Sequence, residues 1–292
     1  MTPPRTSPAP SIAALVTDVD GSLLTAEKVL TAGARAVVAE LHAAGIVFGI
    51  ISSRPPRGLR MLIEPLRITT PIAGFNGGVI ATPALETIEQ HLLAPEVAQR
   101  AVDLIVACGA EPWLFSGEDW FVLDAGGSHV GLEVRTVQFE PTAVKAFGNA
   151  LKSAAKIVAV SNDVARLTRC ESKVRAALDG DAAIARSQRY YLDITHPLAN
   201  KGAAISNLST RLNIPLSQIA VIGDGGNDVP MFERAGLSIA MGNASTEVRG
   251  RADFVTASND DEGFAKAVKR YLLNPMGAAE TVPPPVKPRP NP

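Results

Sequence analysis

Short, nearly unbroken apolar runs separated by stretches of helical period mark both ends of the chain. Ile12-Ala13-Ala14-Leu15-Val16-Thr17 and Ile46-Val47-Phe48-Gly49-Ile50-Ile51 read as strands. Between them Ala34, Val37, Val38 and Leu41 recur at i, i+3, i+4 and i+7, one face of a helix. Thr31 stands where an N-cap belongs and Gly45 where a helix stops. Strands that are apolar on both faces belong to a parallel sheet covered by helices on each side. The same order returns later: a helix over about 201–212, a strand Gln218–Ile222 and a helix over about 229–234. A strand Leu237–Ala240, a short strand Asp253–Val255 and a terminal helix over about 261–272 complete it. The pattern predicts an α/β fold built on a doubly wound parallel sheet.

The middle of the chain changes period. Glu111–Phe115 and Trp120–Leu123 alternate, joined by the four residues Ser116–Asp119 as a hairpin. Helices are predicted over 95–108, with Val97, Ala101, Ile105 and Cys108 on one face, and over 164–178. Strands Lys156–Val160 and Tyr190–Ile194 flank the second. An α+β module at 83–189 is thus inserted in a core made of 11–82 and 190–274. Its aromatic residues Trp113, Phe115, Trp120 and Phe121 read first as the module's own core. Residues 1–10 and 275–292, rich in Pro, Thr and Ala without apolar period, are expected to be disordered tails.

Composition narrows the classes of function. The 292 residues suit about two domains, and 46% apolar against 20% charged residues exclude wholesale disorder. With 28 basic and 29 acidic side chains there is no basic surplus, and no basic cluster, for a nucleic acid or an anionic membrane. Cys108 and Cys170 stand 62 positions apart without a CxxC pattern, so neither a disulfide framework nor a zinc site is expected. Neither a signal peptide nor an 18-residue apolar span is readable, and the expected location is cytoplasmic.

Four polar segments stand at the ends of predicted strands or at a helix start, where open α/β sheets bind ligands. Asp18-Val19-Asp20-Gly21-Ser22-Leu23-Leu24 follows the first strand, its two carboxylates sharing one side of the chain. Crowded acids repel unless a cation or proton compensates, and a plain Asp-Gly turn is the simpler account of the pair. Ser52-Ser53-Arg54 follows the second strand, where a hydroxyl can donate to a phosphate oxygen or cap the helix near Pro55-Pro56. Lys201-Gly202 opens a helix, against its dipole by roughly a few tenths of a kcal/mol, so Lys201 serves a ligand or lies solvated.

Gly223-Asp224-Gly225-Gly226-Asn227-Asp228 is the fourth segment. Carboxylates four apart around a Gly-Gly loop suit a hard cation such as Mg²⁺. A dinucleotide loop needs a third glycine where Asp228 stands, so a nicotinamide cofactor is excluded. Together the segments bring four carboxylates, one lysine and one hydroxyl to one sheet edge. A divalent cation neutralises such a pocket and opens it to a phosphate.

These segments resemble the motifs of the haloacid dehalogenase superfamily, in particular its Cof-like sugar-phosphate phosphatase branch. Asp18–Leu24 meets the pattern DxDG(T/S)LL, and Ser52 and Arg54 meet the Thr/Ser-Gly-Arg motif, with Ser53 in place of Gly. Lys201-Gly202 meets the lysine motif and Gly223–Asp228 the GDGxND motif. Ile239–Ala244 is similar to the branch's AMGNA segment, and Asn76-Gly77 to the Asn-Gly after its third strand. The resemblance implies a Rossmann-like core with an α+β cap in the long interval between Ser52 and Lys201. It implies a nucleophile at Asp18, which forms an aspartyl-phosphate, and a general acid and base at Asp20. Mg²⁺ would lie on the side chains of Asp18 and Asp224, the backbone carbonyl of Asp20, and Asp228 directly or through water. Ser52 and Lys201 would hold phosphate oxygens, and Arg54, Asn76 and Asn227 would touch substrate. The implied activity is hydrolysis of a small phosphorylated metabolite, with a homodimer left open. A phosphomutase and a non-catalytic regulatory binder are the alternatives, the second opposed by the intact pair Asp18 and Asp20.

Overall fold

The computed structural model of the protein describes residues 12–274, so the expected tails at 1–10 and 275–292 lie outside the described residues. β1 (Ala14–Thr17) leads through α1 (Ala32–Ala43) to β2 (Val47–Ile50), and a 3₁₀ turn runs into α2 (Arg60–Ile63). A meander follows: β3 (Ile72–Gly74), β4 (Val79–Ala81) and β5 (Thr87–Gln90). The middle holds α3 (Pro95–Ala107), the hairpin β6 (Glu111–Ser116) and β7 (Asp119–Val122), α4 (Val130–Val137) and β8 (Thr142–Ala143). It continues with β9 (Ala154–Val160), α5 (Val164–Ala177), β10 (Ala183–Gln188) and β11 (Tyr191–Thr195). The chain returns through α6 (Lys201–Leu212), β12 (Ile219–Gly223), α7 (Val229–Phe232) and β13 (Leu237–Ala240). α8 (Thr246–Arg249), β14 (Phe254–Val255) and α9 (Gly263–Ala267) follow, α9 continuing as a π-helical stretch, Val268–Leu273.

The core is a five-stranded parallel sheet in the order β14-β13-β12-β1-β2. Apart from buried Thr17 and Ser238 its strands are apolar, because both faces are covered. Leu15 joins Leu41, Phe48, Ile222 and Phe264 on one side, while Ala14 and Val16 join Ile205, Leu208, Val221 and Met231 on the other. Alternation along β1 thus feeds two separate layers. α1 begins as the sequence indicates: the Thr31 hydroxyl accepts from the Ala34 N–H at 3.0 Å, a cap worth about 1 kcal/mol. Gly45 after its last turn has a φ of 74°, which favours glycine.

The middle segment forms a six-stranded sheet in the order β10-β11-β9-β6-β7-β8. α3 and α5 pack on one face through Ile105, Leu167 and Val174. Trp113, Phe115 and Trp120 fill the other with Val130 and Val137 of α4, and reach Phe75 and Val79 beside the core. The Phe75 and Phe115 rings lie 5.6 Å apart. These aromatic side chains are core, as their alternation indicates.

Three expectations are corrected. The hairpin loop is two residues, Gly117 and Glu118, because Ser116 pairs with Asp119; buried Ser116 donates to Ala150 O at 2.7 Å, which extends the strand. The boundary at 189/190 cuts a sheet: Tyr191–Thr195, assigned to the core, pairs with β9 and β10. The boundary at 83 cuts another, since β5 pairs with β4 of the meander.

The two crossings between core and cap follow β5 and β11. There His91 and His196 stack with ring centroids 5.4 Å apart. Cys108 and Cys170 are both free thiols, and burial, reinforced by the neighbouring Cys108, pushes Cys170 up to about 12. Among the described residues no helix is long and apolar enough to cross a membrane.

Candidate active site

β1 and β12 are neighbours in register Thr17↔Ile222, so the residues that follow each strand emerge together at the carboxyl edge of the sheet. The Asp18 N–H donates to Ile222 O at 2.9 Å, which fixes the first carboxylate beside the Gly223–Asp228 loop. Lys201 is delivered by α6, whose start is capped by the Asn200 side chain accepting from the Ala203 N–H at 2.8 Å. Its ammonium donates to Asp18 Oδ1 at 2.5 Å and to Asp228 Oδ1 at 2.6 Å, and only 1% of the residue is exposed. The other oxygen of Asp228 accepts from the backbone N–H groups of Asp224 and Gly225, both at 2.8 Å. Asp18, Asp224 and Asp228 offer oxygens within 4.8 Å of one another.

Three carboxylates against one ammonium leave this cluster anionic, and its protonation shows the strain. Burial, with Asp228 and Asp224 adding repulsion against the pull of Lys201, holds Asp18 well above the usual carboxylate range. Burial and then Asp228 push Asp224 up to about 6. Burial alone would lower Lys201, but Asp18 and Asp228 override it and hold the ammonium above the ordinary lysine range. A donor set of carboxylate oxygens with surplus negative charge fits a hard divalent cation.

Gly21 closes the site from below. Its φ is +83°, and a Cβ there would sit 2.3 Å from Asp224 Oδ2. Gly21→Ala is therefore expected to strain the turn by about 1–2 kcal/mol and displace Asp224. The half-saturating metal concentration for activity should rise at least about tenfold, read by metal titration beside a urea melt. An unchanged metal requirement would remove Asp224 from the site.

Asp20 lies apart from the lysine. Arg54 holds it with two parallel bonds, Nε to Oδ2 and Nη2 to Oδ1, both at 2.7 Å, and Lys28 Nζ is 2.8 Å from Oδ1. Burial works to raise this carboxyl, but Arg54 and Lys28 take it down to about 2. Arg54 also donates to the carbonyl of Thr136 in α4 at 2.5 Å, so one side chain ties Asp20 to the cap. Its guanidinium is thus engaged by protein rather than open to a ligand.

Ser52 is fully buried after β2, on the same sheet edge, with its hydroxyl accepting from the Arg54 N–H at 3.1 Å. Asn76 and Asn227 meet each other: Asn227 Nδ2 donates to Asn76 Oδ1 at 3.0 Å. The fold therefore brings Asp18, Lys201, Asp224 and Asp228 into one cluster, with Asp20 and Ser52 beside it.

Several neighbours were not predicted. Asn243 donates to Gly21 O at 2.9 Å and to Asp224 Oδ2 at 3.1 Å, which gives the quoted AMGNA segment its place. Lys28 has no signal in the sequence. On the cap, Lys156 and Asp193 form a buried pair at 2.8 Å. A single charge inside each otherwise apolar strand, β9 and β11, was the available sign. With Glu133 and Tyr191, Lys156 faces Asp20 and Arg54 across a cavity of about 70 Å³.

Residues 15–268 match the sequence profile of the haloacid dehalogenase-like hydrolases. The chain belongs to that family. It is 26% identical to Phosphatase YwpJ of Bacillus subtilis, over 87% of this chain and 98% of that one. It is also 26% identical to the 5-amino-6-(5-phospho-D-ribitylamino)uracil phosphatase YwtE of the same organism, over 87% and 96%. A haloacid dehalogenase-like hydrolase of Bacteroides thetaiotaomicron superposes with a TM-score of 0.82 at 26% identity, covering 89% of this chain and all of that one. The chain is an enzyme, a phosphoric monoester hydrolase of the haloacid dehalogenase type.

Proposed function

We infer that the protein is a Mg²⁺-dependent phosphatase that hydrolyses a small phosphorylated metabolite, a sugar phosphate in type, through a phosphoryl group carried on Asp18. The observation that carries this reading is the buried Lys201 ammonium between Asp18 and Asp228, with Asp224 in the same cluster. An Asp18 oxygen attacks phosphorus and the bond to the leaving alcohol breaks. Asp20 gives that alcohol its proton, then takes one from the water that releases inorganic phosphate and restores Asp18. Lys201 and the Ser52 hydroxyl oppose the charge on the non-bridging oxygens. The side chains of Asp18, Asp224 and Asp228, with the Asp20 carbonyl, would hold Mg²⁺, which supplies further charge neutralisation to the phosphoryl group.

Held by Arg54 and Lys28, Asp20 is anionic at neutral pH, the form that the water step uses. Delivering a proton to the leaving group requires this carboxylate to loosen from Arg54 and Lys28 and first take up a proton from solvent, which the proton taken from the hydrolytic water later replaces. Such loosening couples the first step to the Thr136 contact and so to the cap.

Phosphate release from small monophosphates should require Mg²⁺ and stop with a chelator; release that survives chelation would overturn the reading. Metal binding needs Asp224 deprotonated, and its carboxyl titrates at about 6. Asp18 is also held above the usual range, so the half-saturating Mg²⁺ concentration should climb as pH falls from 7.5 to 5, by about tenfold per unit for each carboxyl that must lose its proton. Mg²⁺ titrations at pH 7.5, 6 and 5 measure this.

A further inference from the structure

The cap side of the cavity carries charges and hydroxyls that the phosphoryl chemistry leaves unused. Lys156 is committed within the protein: its ammonium lies 2.8 Å from Asp193 Oδ2, 3.4 Å from the Ser53 carbonyl and 5.8 Å over the Phe115 ring. Asp193 takes one bond from the Ser187 hydroxyl at 3.0 Å, while its Oδ2 has no directed hydrogen bond despite burial. The Tyr191 hydroxyl, on a residue 7% exposed that lines the cavity, makes no hydrogen bond within 3.5 Å among the described residues, and the Glu133 carboxylate is the acid that acts on it most strongly. Glu133, half-buried on the same wall, senses Lys156, Asp193, Asp20 and Arg54 but forms no ion pair within 4.0 Å among the described residues.

Such a wall offers acceptors and no uncommitted cation. Buried acceptors without donors are costly, and a ligand that brings donors recovers that cost. A second anionic group would face Glu133, while Lys156 is neutralised by Asp193 and the cations opposite, Arg54 and Lys28, by Asp20. We propose that Glu133, Tyr191 and the Lys156–Asp193 pair form a specificity subsite that accepts a leaving alcohol rich in hydrogen donors and rejects one bearing a second negative charge. This inference rests on the phosphatase reading and adds which alcohols the cap selects. Hydroxyl and ammonium donors both meet that chemistry, and the test separates them.

The test compares kcat and KM for glucose 6-phosphate, glucosamine 6-phosphate, 6-phosphogluconate and p-nitrophenyl phosphate with Mg²⁺, in the wild type, Glu133→Gln and Tyr191→Phe. In the wild type, at least one of the two sugar esters should exceed 6-phosphogluconate about tenfold or more in kcat/KM. A lead for glucosamine 6-phosphate over glucose 6-phosphate assigns an ammonium as the preferred donor, the reverse a hydroxyl. Each variant should raise KM for the favoured sugar ester about tenfold with kcat held, and Glu133→Gln should narrow the discrimination against 6-phosphogluconate. The ester that lacks donors, p-nitrophenyl phosphate, should change less than about twofold, which also reports that the variants fold. Equal turnover of 6-phosphogluconate and the sugar esters, variants that lower all four substrates alike, or turnover of p-nitrophenyl phosphate alone would each overturn the subsite. No turnover of any ester would remove the phosphatase reading and the subsite with it.

Discussion

Asp18→Asn should abolish turnover while leaving the protein at least as stable as the wild type without metal. An amide oxygen is a poor nucleophile and no neighbouring group replaces it, so kcat is expected to fall by about 10⁴ or more, some 5 kcal/mol of barrier. Stability moves the other way for an electrostatic reason. Asp18 is held above the usual carboxylate range, which means that the fold favours its uncharged form. A carboxyl raised on folding contributes stability below its unfolded value and loses it as pH rises toward the folded one. The charge on Asp18 is thus a net burden to the metal-free protein wherever it is carried, and a neutral isostere relieves it. Phosphate release measured beside thermal melts in chelator checks both halves. Activity within about a hundredfold of wild type would remove Asp18 as the nucleophile.

Lys201→Met should do the opposite to stability and nearly the same to activity. Without the ammonium, Asp18, Asp224 and Asp228 share a buried pocket with no counter-charge from α6. Leaving buried charges unpaired costs about 3–5 kcal/mol, so the variant should unfold at markedly lower urea in chelator. Millimolar Mg²⁺ should restore much of that loss, more than it adds to the wild type, because the cation replaces the missing charge. Turnover should fall by about 10³ even with saturating Mg²⁺, since the phosphoryl oxygens lose their lysine. Wild-type stability in chelator would mean that the three acids do not depend on Lys201.

The core and the acid cluster were readable because one physical condition governs both. A strand covered on both faces must be apolar along its length, and any charge at its end then stands out, as Asp18 after Val16-Thr17 and Asp224 after Ile222-Gly223 do. The cap hid more. In α4 only Val130 and Val137 are buried, seven positions apart, too sparse for a helical stripe. β10 has no fully buried residue, and β3 and β4 are three residues each, below the length at which alternation can be recognised. The role of Arg54 was invisible for another reason. Its partners Asp20 and Thr136 lie 34 and 82 positions away, on different elements, and only the folded chain brings them together.

The stacked imidazoles of His91 and His196 carry one more implication. The six-stranded unit leaves after β5 of the meander and returns ahead of α6 through two segments whose side chains touch, so its two ends meet the core side by side. A foreign module whose own termini lie equally close would meet the same two crossings, but it would have to replace the Thr136 carbonyl that holds Arg54 and the aromatic side chains that cover Phe75. The pairing of β1 with β12 lies outside that unit, whereas the Arg54 contact that holds Asp20 runs into it.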